Sequence, residues 1–206
     1  GPAYLPWFFM QNMSGFGGPL PDQWFEQRVE LARRMHDRMQ AFGIHPVLMG
    51  FSGMVPKDFG AKRPDASVIE QGLWCGFSRP AMLRVYGSKG KDFFEPAADT
   101  FYEKQREVFG PVTHYYAVDP FHEGGNMGDM EPAAVYRAVQ RKMLENDPKA
   151  IWLLMQWQGQ ISDEKLSGLC SPQQALVLDL QADRRPYHEM MERHKTPWIW
   201  SMVHNF

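Results

Sequence analysis

Glu123 ends the segment Tyr115-Tyr116-Ala117-Val118-Asp119-Pro120-Phe121-His122-Glu123-Gly124-Gly125, an apolar run that stops at a proline and then offers two carboxylates and a histidine. In sheet-and-helix proteins the carboxyl ends of strands face the open side of the fold, where a rigid backbone holds accessible side chains. A carboxylate in that place is a candidate acid, base or ligand, and its bland alternative is a cap on the next segment. His114, Asp119, His122 and Glu123 along one stretch also raise a divalent-metal site, since residues of these types ligate such ions. Alternation argues against it: adjacent strand residues point to opposite faces, so His122 and Glu123 share an ion only if the backbone bends.

The elements around this segment repeat one grammar. Pro21-Asp22 opens a helix, with Asp22 as its cap and Phe25, Val29, Ala32, Met35, Met39 and Phe42 as its apolar stripe, closed by Gly43. Glu26, Arg33, Arg34, Asp37 and Arg38 form its solvated face. Pro46 to Phe51 reads as a short buried strand. A second helix is expected to start at Pro96 and stop before Gly110-Pro111, leading into the strand through Tyr115. A third begins near Pro132, runs through Val135, Val139 and Met143, and stops before Asp147-Pro148, ahead of the strand Ile151 to Trp157. Leu176–Leu178 and Trp198–Trp200 add two strands around a helical stretch near Tyr187 to Arg193. Trp152, Trp198 and Trp200 read as strand core. The segment from Ser52 to Glu95, rich in Gly, Pro, Lys and Arg, is expected to be a large loop at the active face.

Near-continuous apolar strands alternating with helices predict a parallel sheet covered by helices, an α/β fold. Gly15, Gly17 and Gly18 precede a helix but make no dinucleotide or P-loop fingerprint. A TIM-barrel-like (β/α)8 domain is therefore expected. Such barrels take about 250 residues, so the 206 residues 1–206 read as one partial catalytic barrel domain of a longer polypeptide.

Composition narrows the function classes. A net charge of −2 with no concentrated Lys/Arg face gives no footprint for nucleic acid. Cys75 and Cys170 are too few for a disulfide framework and lack zinc-site spacing. No run reaches the roughly 18 apolar residues of a membrane span. Aromatic residues reach 14%, and flat apolar rings near strand ends are surfaces on which the C–H face of a sugar stacks.

Several blocks carry a resemblance: Gly1-Pro2-Ala3-Tyr4-Leu5-Pro6-Trp7, Gly18-Pro19-Leu20-Pro21, Pro46-Val47-Leu48, Gly53-Met54-Val55-Pro56 and Ile199-Trp200-Ser201-Met202-Val203-His204-Asn205-Phe206. In this order and spacing they resemble glycoside hydrolase family 89, from the first residue of the chain to the last. The resemblance implies the middle of the catalytic barrel of a larger enzyme with flanking domains outside this chain. It implies an exo-acting, retaining glycosidase that releases terminal alpha-linked N-acetylglucosamine from glycans, without a cofactor or metal. The family's general acid/base, a strand-end Glu after an aromatic and a polar residue, falls on Phe121-His122-Glu123. His122 stands where the family commonly carries Asn, which puts pocket shape and pH profile at issue. By the same resemblance Trp7, Met10, Trp74, Trp157, Val203 and Phe206 line the sugar pocket, and the nucleophile is expected beyond Phe206. An extracytoplasmic location, lysosomal or exported, is implied in the same way. Two other classes stay open from the residues alone: a metal-dependent barrel enzyme and a noncatalytic carbohydrate-binding protein. Expressed alone, the 206 residues are expected to aggregate or fold only in part, because an incomplete barrel exposes strand edges.

Overall fold

Ile151–Gln156 runs Ile-Trp-Leu-Leu-Met-Gln, a sequence without polar alternation, and the chain buries it on both faces: Trp152, Leu153, Leu154 and Gln156 are all shielded from solvent. This strand is the centre of the computed structural model, which describes residues 21–74, 76–121, 124–157, 159–181 and 187–201, and only the backbone of Phe77, Ser78, Lys89 and Lys91. The strands, in chain order, are β1 Val47–Met49, β2 Met54–Val55, β3 Val68–Ile69, β4 Leu73–Trp74, β5 Phe77–Ser78, β6 Ala81–Leu83, β7 Tyr115–Ala117, β8 Ile151–Gln156, β9 Ala175–Asp179 and β10 Trp198–Trp200. The helices are α1 Asp22–Ala41, α2 Phe59–Lys62, α3 Ser88–Phe109, α4 Pro132–Asn146, α5 Asp163–Ser167 and α6 His188–Arg193, with a 3-10 turn at Pro172–Gln174.

Five strands form one parallel sheet in the order β1-β7-β8-β9-β10, which is also their order along the chain. Each step is a crossover through helix, the progression of a (β/α) barrel wall. Parallel direction brings all five carboxyl ends to one edge. The ladder continues past them, with Gly50 N–H donating to Ala117 O (3.0 Å), Leu180 N–H to Gln156 O (3.2 Å) and Ser201 N–H to Asp179 O (3.0 Å).

The helices cover the sheet through a dense aromatic core. Tyr136 of α4 lies over Trp152 at 5.1 Å, and Phe51 contacts both Phe94 and Phe101 of α3. Between α3 and α4, Lys142 is buried but neutralised by Asp99 (2.6 Å) and Glu145 (3.0 Å). Burial opposes its charge, yet those two carboxylates together raise its pKa above the ordinary lysine value.

Several expectations need correction. Asp22 is not the cap of α1: Pro21 holds that place, and Asp22 sits in the first turn. The buried stripe of α1 centres on Ala32 and His36, with Val29 and Met39 partly covered, while Met35 and Phe42 are exposed. His36 turns inward because its ring packs edge-on against Phe109 at 5.4 Å. Helix α3 begins at Ser88, so Pro96 is internal rather than first. Its missing N–H would have bonded the carbonyl of Asp92, and both residues lie on the exposed face, where water can substitute. The segment 52–95 is not one loop: it folds into the antiparallel sheet β2-β6-β3, the hairpin β4-β5, helix α2 and the start of α3. Trp200 is 63% exposed and Trp198 only partly covered, because β10 is an edge strand among the described residues.

Candidate active site

The carboxyl edge of the parallel sheet gathers polar side chains, some of them buried. Asp119 follows β7, Gln156 ends β8 with Trp157 next to it, Asp179 ends β9, and Ser201 follows β10. His122 and Glu123 lie outside the described residues, as do Trp7, Met10, Val203 and Phe206. The chain on either side of Glu123 is held by specific contacts.

On the upstream side the ladder is carried on by side chains. Trp152 Nε1–H donates to the carbonyl of Val118 at 2.9 Å, and Met155 N–H donates to Asp119 Oδ1 at 3.3 Å. Asp119 thus occupies a β8 donor that β7 leaves as it turns away into Pro120. The same carboxylate acts on two neighbours. Burial, then the Asp119 charge, pushes the Tyr136 phenol above its ordinary pKa. Burial lowers the Lys165 ammonium, and Asp119 and Glu164 oppose that shift. Lys165 Nζ also donates to Gln160 O.

Phe121 is buried with φ +63°, a left-handed backbone that costs a non-glycine residue roughly 1–2 kcal/mol. Strain of this kind persists only where surrounding contacts enforce it, and it concentrates at functional sites. Gly125 N–H donates to Phe121 O at 3.2 Å, closing a turn across the interval that contains Glu123. A Cβ on Gly125 would stand 2.6 Å from Phe121 Cα, so the turn requires glycine there.

Trp157 follows β8 directly and is partly covered. Its loop is pinned by Gln156, whose buried amide pairs both ways with Ile161: Nε2 donates to Ile161 O (3.1 Å) and Ile161 N–H donates to Oε1 (3.0 Å). Trp74 sits in the hairpin β4-β5, paired with Phe77 and 47% exposed. His114 is at the other end of β7, where Nδ1 meets Asp147 Oδ2 at 2.8 Å and the Tyr116 hydroxyl donates to the same oxygen at 3.0 Å. The four-residue metal cluster therefore loses His114, which is separated from Asp119 by the length of the strand.

Asp179 was not anticipated as a site residue. It is fully buried, Oδ1 accepts from Gln181 N–H at 3.0 Å, and Oδ2 has no hydrogen-bond partner among the described residues; nor has the buried Ser201 Oγ at the neighbouring strand end. Ala-Leu-Val-Leu-Asp ends an apolar run on a carboxylate, the same signal that singled out the β7 end. Gln156 carried no such signal.

The whole chain, residues 1–206, matches the family model described as the alpha-N-acetylglucosaminidase (NAGLU) tim-barrel domain. The chain belongs to this family. Human alpha-N-acetylglucosaminidase is 32% identical over 218 residues, covering 100% of the chain and 29% of that protein. A family 89 glycoside hydrolase from Clostridium perfringens, in complex with 2-acetamido-1,2-dideoxynojirmycin, superposes with a TM-score of 0.88 at 57% identity, covering 100% of this chain and 23% of that one. A variant of the Clostridium perfringens enzyme with two glutamates changed to glutamine, in complex with its substrate GlcNAc-alpha-1,4-galactose, matches with a TM-score of 0.87 at 57% identity. The chain thus spans less than a third of the length of these family members. Within the family's barrel, the five parallel strands form a contiguous part of the wall.

Proposed function

We propose that the full-length protein is an exo-acting, retaining glycosidase that releases terminal alpha-linked N-acetylglucosamine, with Glu123 as its general acid/base. The observation that carries the proposal is the turn from Phe121 to Gly125, a strained, glycine-dependent turn at the carboxyl end of a barrel strand in a chain that matches the family throughout. A retaining glycosidase needs a protonated carboxyl to give a proton to the leaving oxygen and a second carboxylate about 5 to 5.5 Å away to attack the anomeric carbon. In the first step Glu123 gives its proton to the glycosidic oxygen as the nucleophile bonds to the sugar. In the second, the Glu123 carboxylate takes a proton from water, which attacks the glycosyl-enzyme and releases the sugar with retained configuration. Two carboxylates suffice for this chemistry. The nucleophile is assigned to the polypeptide beyond Phe206, as the family resemblance implies.

Trp74 and Trp157, with Trp7, Met10, His122, Val203 and Phe206, are proposed as the pocket wall that admits one terminal ring and rejects an internal one. The half-exposed position of Trp74 and the pinned loop of Trp157 support that role. The chain is proposed as the central part of the catalytic barrel, with the remaining domains in the rest of the polypeptide, acting outside the cytoplasm. No helix of the described residues is long and apolar enough to cross a membrane.

The test is hydrolysis of nitrophenyl alpha- and beta-N-acetylglucosaminides by the full-length protein and its Glu123→Gln variant. Activity on the alpha anomer alone, lost in the variant, is expected. An inactive full-length protein that still binds the sugar would favour a noncatalytic carbohydrate-binding protein.

A further inference from the structure

Gln71 is buried between β3 and β4, far in sequence from the β7 end. Its amide pairs with both backbone groups of one residue, Asn126, in the β7–α4 connection. Nε2 donates to Asn126 O at 2.7 Å, and Asn126 N–H donates to Oε1 at 3.0 Å. The attachment is reciprocal, because Asn126 Nδ2 donates to Glu70 O at 3.1 Å, while Asn126 Oδ1 accepts from Gly128 N–H at 2.8 Å. A side-chain amide thus takes the place of a strand neighbour, satisfying both backbone groups of Asn126 where no ladder runs.

The location of this clasp gives it meaning. Asn126 is separated from Glu123 only by Gly124 and Gly125. A glycine pair has no side chains to hold itself in place, and Gly124 takes a left-handed φ of +79°. Upstream, Trp152 and Met155 fix the chain as far as Asp119. Downstream, the first side-chain anchor is the Gln71 clasp. The same residue stands three positions before Trp74, at the entrance to the hairpin whose base is closed by Arg79 N–H donating to Gly72 O at 3.0 Å.

We propose that Gln71 is a positioning residue for the glycosidase reaction: by clasping Asn126 it holds the Glu123 turn in register with the Trp74 hairpin, so that the proton donor and the pocket wall are set by one side chain. The proposal rests on the reading of Glu123 as acid/base. It makes Gln71 matter most where proton donation matters most. A glycoside with a poor leaving group needs the acid fully aligned, whereas a dinitrophenolate leaves with little help, and general acid catalysis contributes on the order of a hundredfold or more to the former.

The experiment compares Gln71→Met, close in size but without either hydrogen bond, with the unaltered full-length protein and Glu123→Gln. The substrates are dinitrophenyl and methyl alpha-N-acetylglucosaminides, and melting temperatures are measured alongside. The expected result is a loss in kcat of about tenfold or more on the methyl glycoside, in the range that small misplacement of a catalytic group produces, and a much smaller loss on the dinitrophenyl glycoside. Equal losses on both substrates, or none, would overturn the positioning role while leaving the assignment of Glu123 intact. Activity of Glu123→Gln on the methyl glycoside at the unaltered rate would overturn the underlying reading, and this proposal with it. If Gln71→Met does not fold, Asn126→Ala serves for the same comparison. It keeps the peptide clasp, loses the bonds to Glu70 and Gly128, and is expected to show the same leaving-group dependence at smaller amplitude.

Discussion

Trp152 Nε1–H donates to the carbonyl of Val118 at 2.9 Å, tying an indole near the start of β8 to the point where β7 leaves the sheet. Trp152 therefore has two tasks, filling the core against Tyr136 and holding the stem of the Glu123 turn. Trp152→Phe removes the bond and leaves the buried Val118 carbonyl without its partner, at an expected cost of about 2 kcal/mol. Chemical denaturation of the full-length protein measures it. A variant as stable as the parent would show that the bond holds nothing.

Trp74→Ala is expected to behave in the opposite way. Its ring is half exposed, so stability should scarcely change. Loss of a stacking face for the sugar should lower kcat/KM about tenfold, in keeping with roughly 1 kcal/mol for an aromatic contact. Steady-state kinetics beside a melting curve separates the two effects.

Gly168 joins α5 to the first turn of α4, and a Cβ there would stand 2.0 Å from the carbonyl oxygen of Ala133. Gly168→Ala must push the two helices apart, at an expected cost of about 1–3 kcal/mol. A melting temperature equal to the parent's would contradict the close approach.

His36 is buried against Phe109, its Nδ1 has no hydrogen-bond partner among the described residues, and burial lowers its pKa, a shift that Asp37 partly opposes. The sign follows from linkage. Below the ordinary histidine value of about 6.5 the unfolded chain takes up a proton that the folded chain resists, so stability falls as pH drops through that range. His36→Leu is expected to flatten the dependence of melting temperature on pH between neutral and mildly acid conditions. An unchanged slope would mean that His36 does not contribute to it.

Much of this architecture was readable as punctuation. β7, β8, β9 and α4 are apolar runs or 3.6-residue stripes bounded by Pro, Gly or Asp, and they fold where those boundaries place them. α1 deceived because Met35 and Phe42 fit the period as well as His36 does, and only Phe109, distant in sequence, decides which face turns inward. Pro96 deceived because a first-turn proline and an internal proline on a wet face look alike in one dimension. For the site, the sequence offers a strand-end carboxylate and loop tryptophans as residue types, and of these Trp74 and Trp157 fall among the described residues. Gln71 and Gln156 were not, since a clasping amide belongs to no periodicity and, for Gln71, its partner lies 55 residues away.

The exposed edges have their own consequence. Val47 on β1 and Ile199 and Trp200 on β10 are open to solvent, and both strands lack an outer neighbour among the described residues. The isolated 206-residue chain is expected to aggregate or melt without a sharp transition. A cooperative calorimetric transition from a monomer would contradict this.

The central claim is tested most directly by Glu123→Ala in the full-length protein, acting on dinitrophenyl alpha-N-acetylglucosaminide with and without azide. If Glu123 is the acid/base of a retaining enzyme, the activated substrate still forms the glycosyl-enzyme, which then turns over slowly. Azide, needing no general base, should raise the rate and yield the alpha-glycosyl azide. Turnover at the parental rate without azide, or a beta-configured product, would contradict the account.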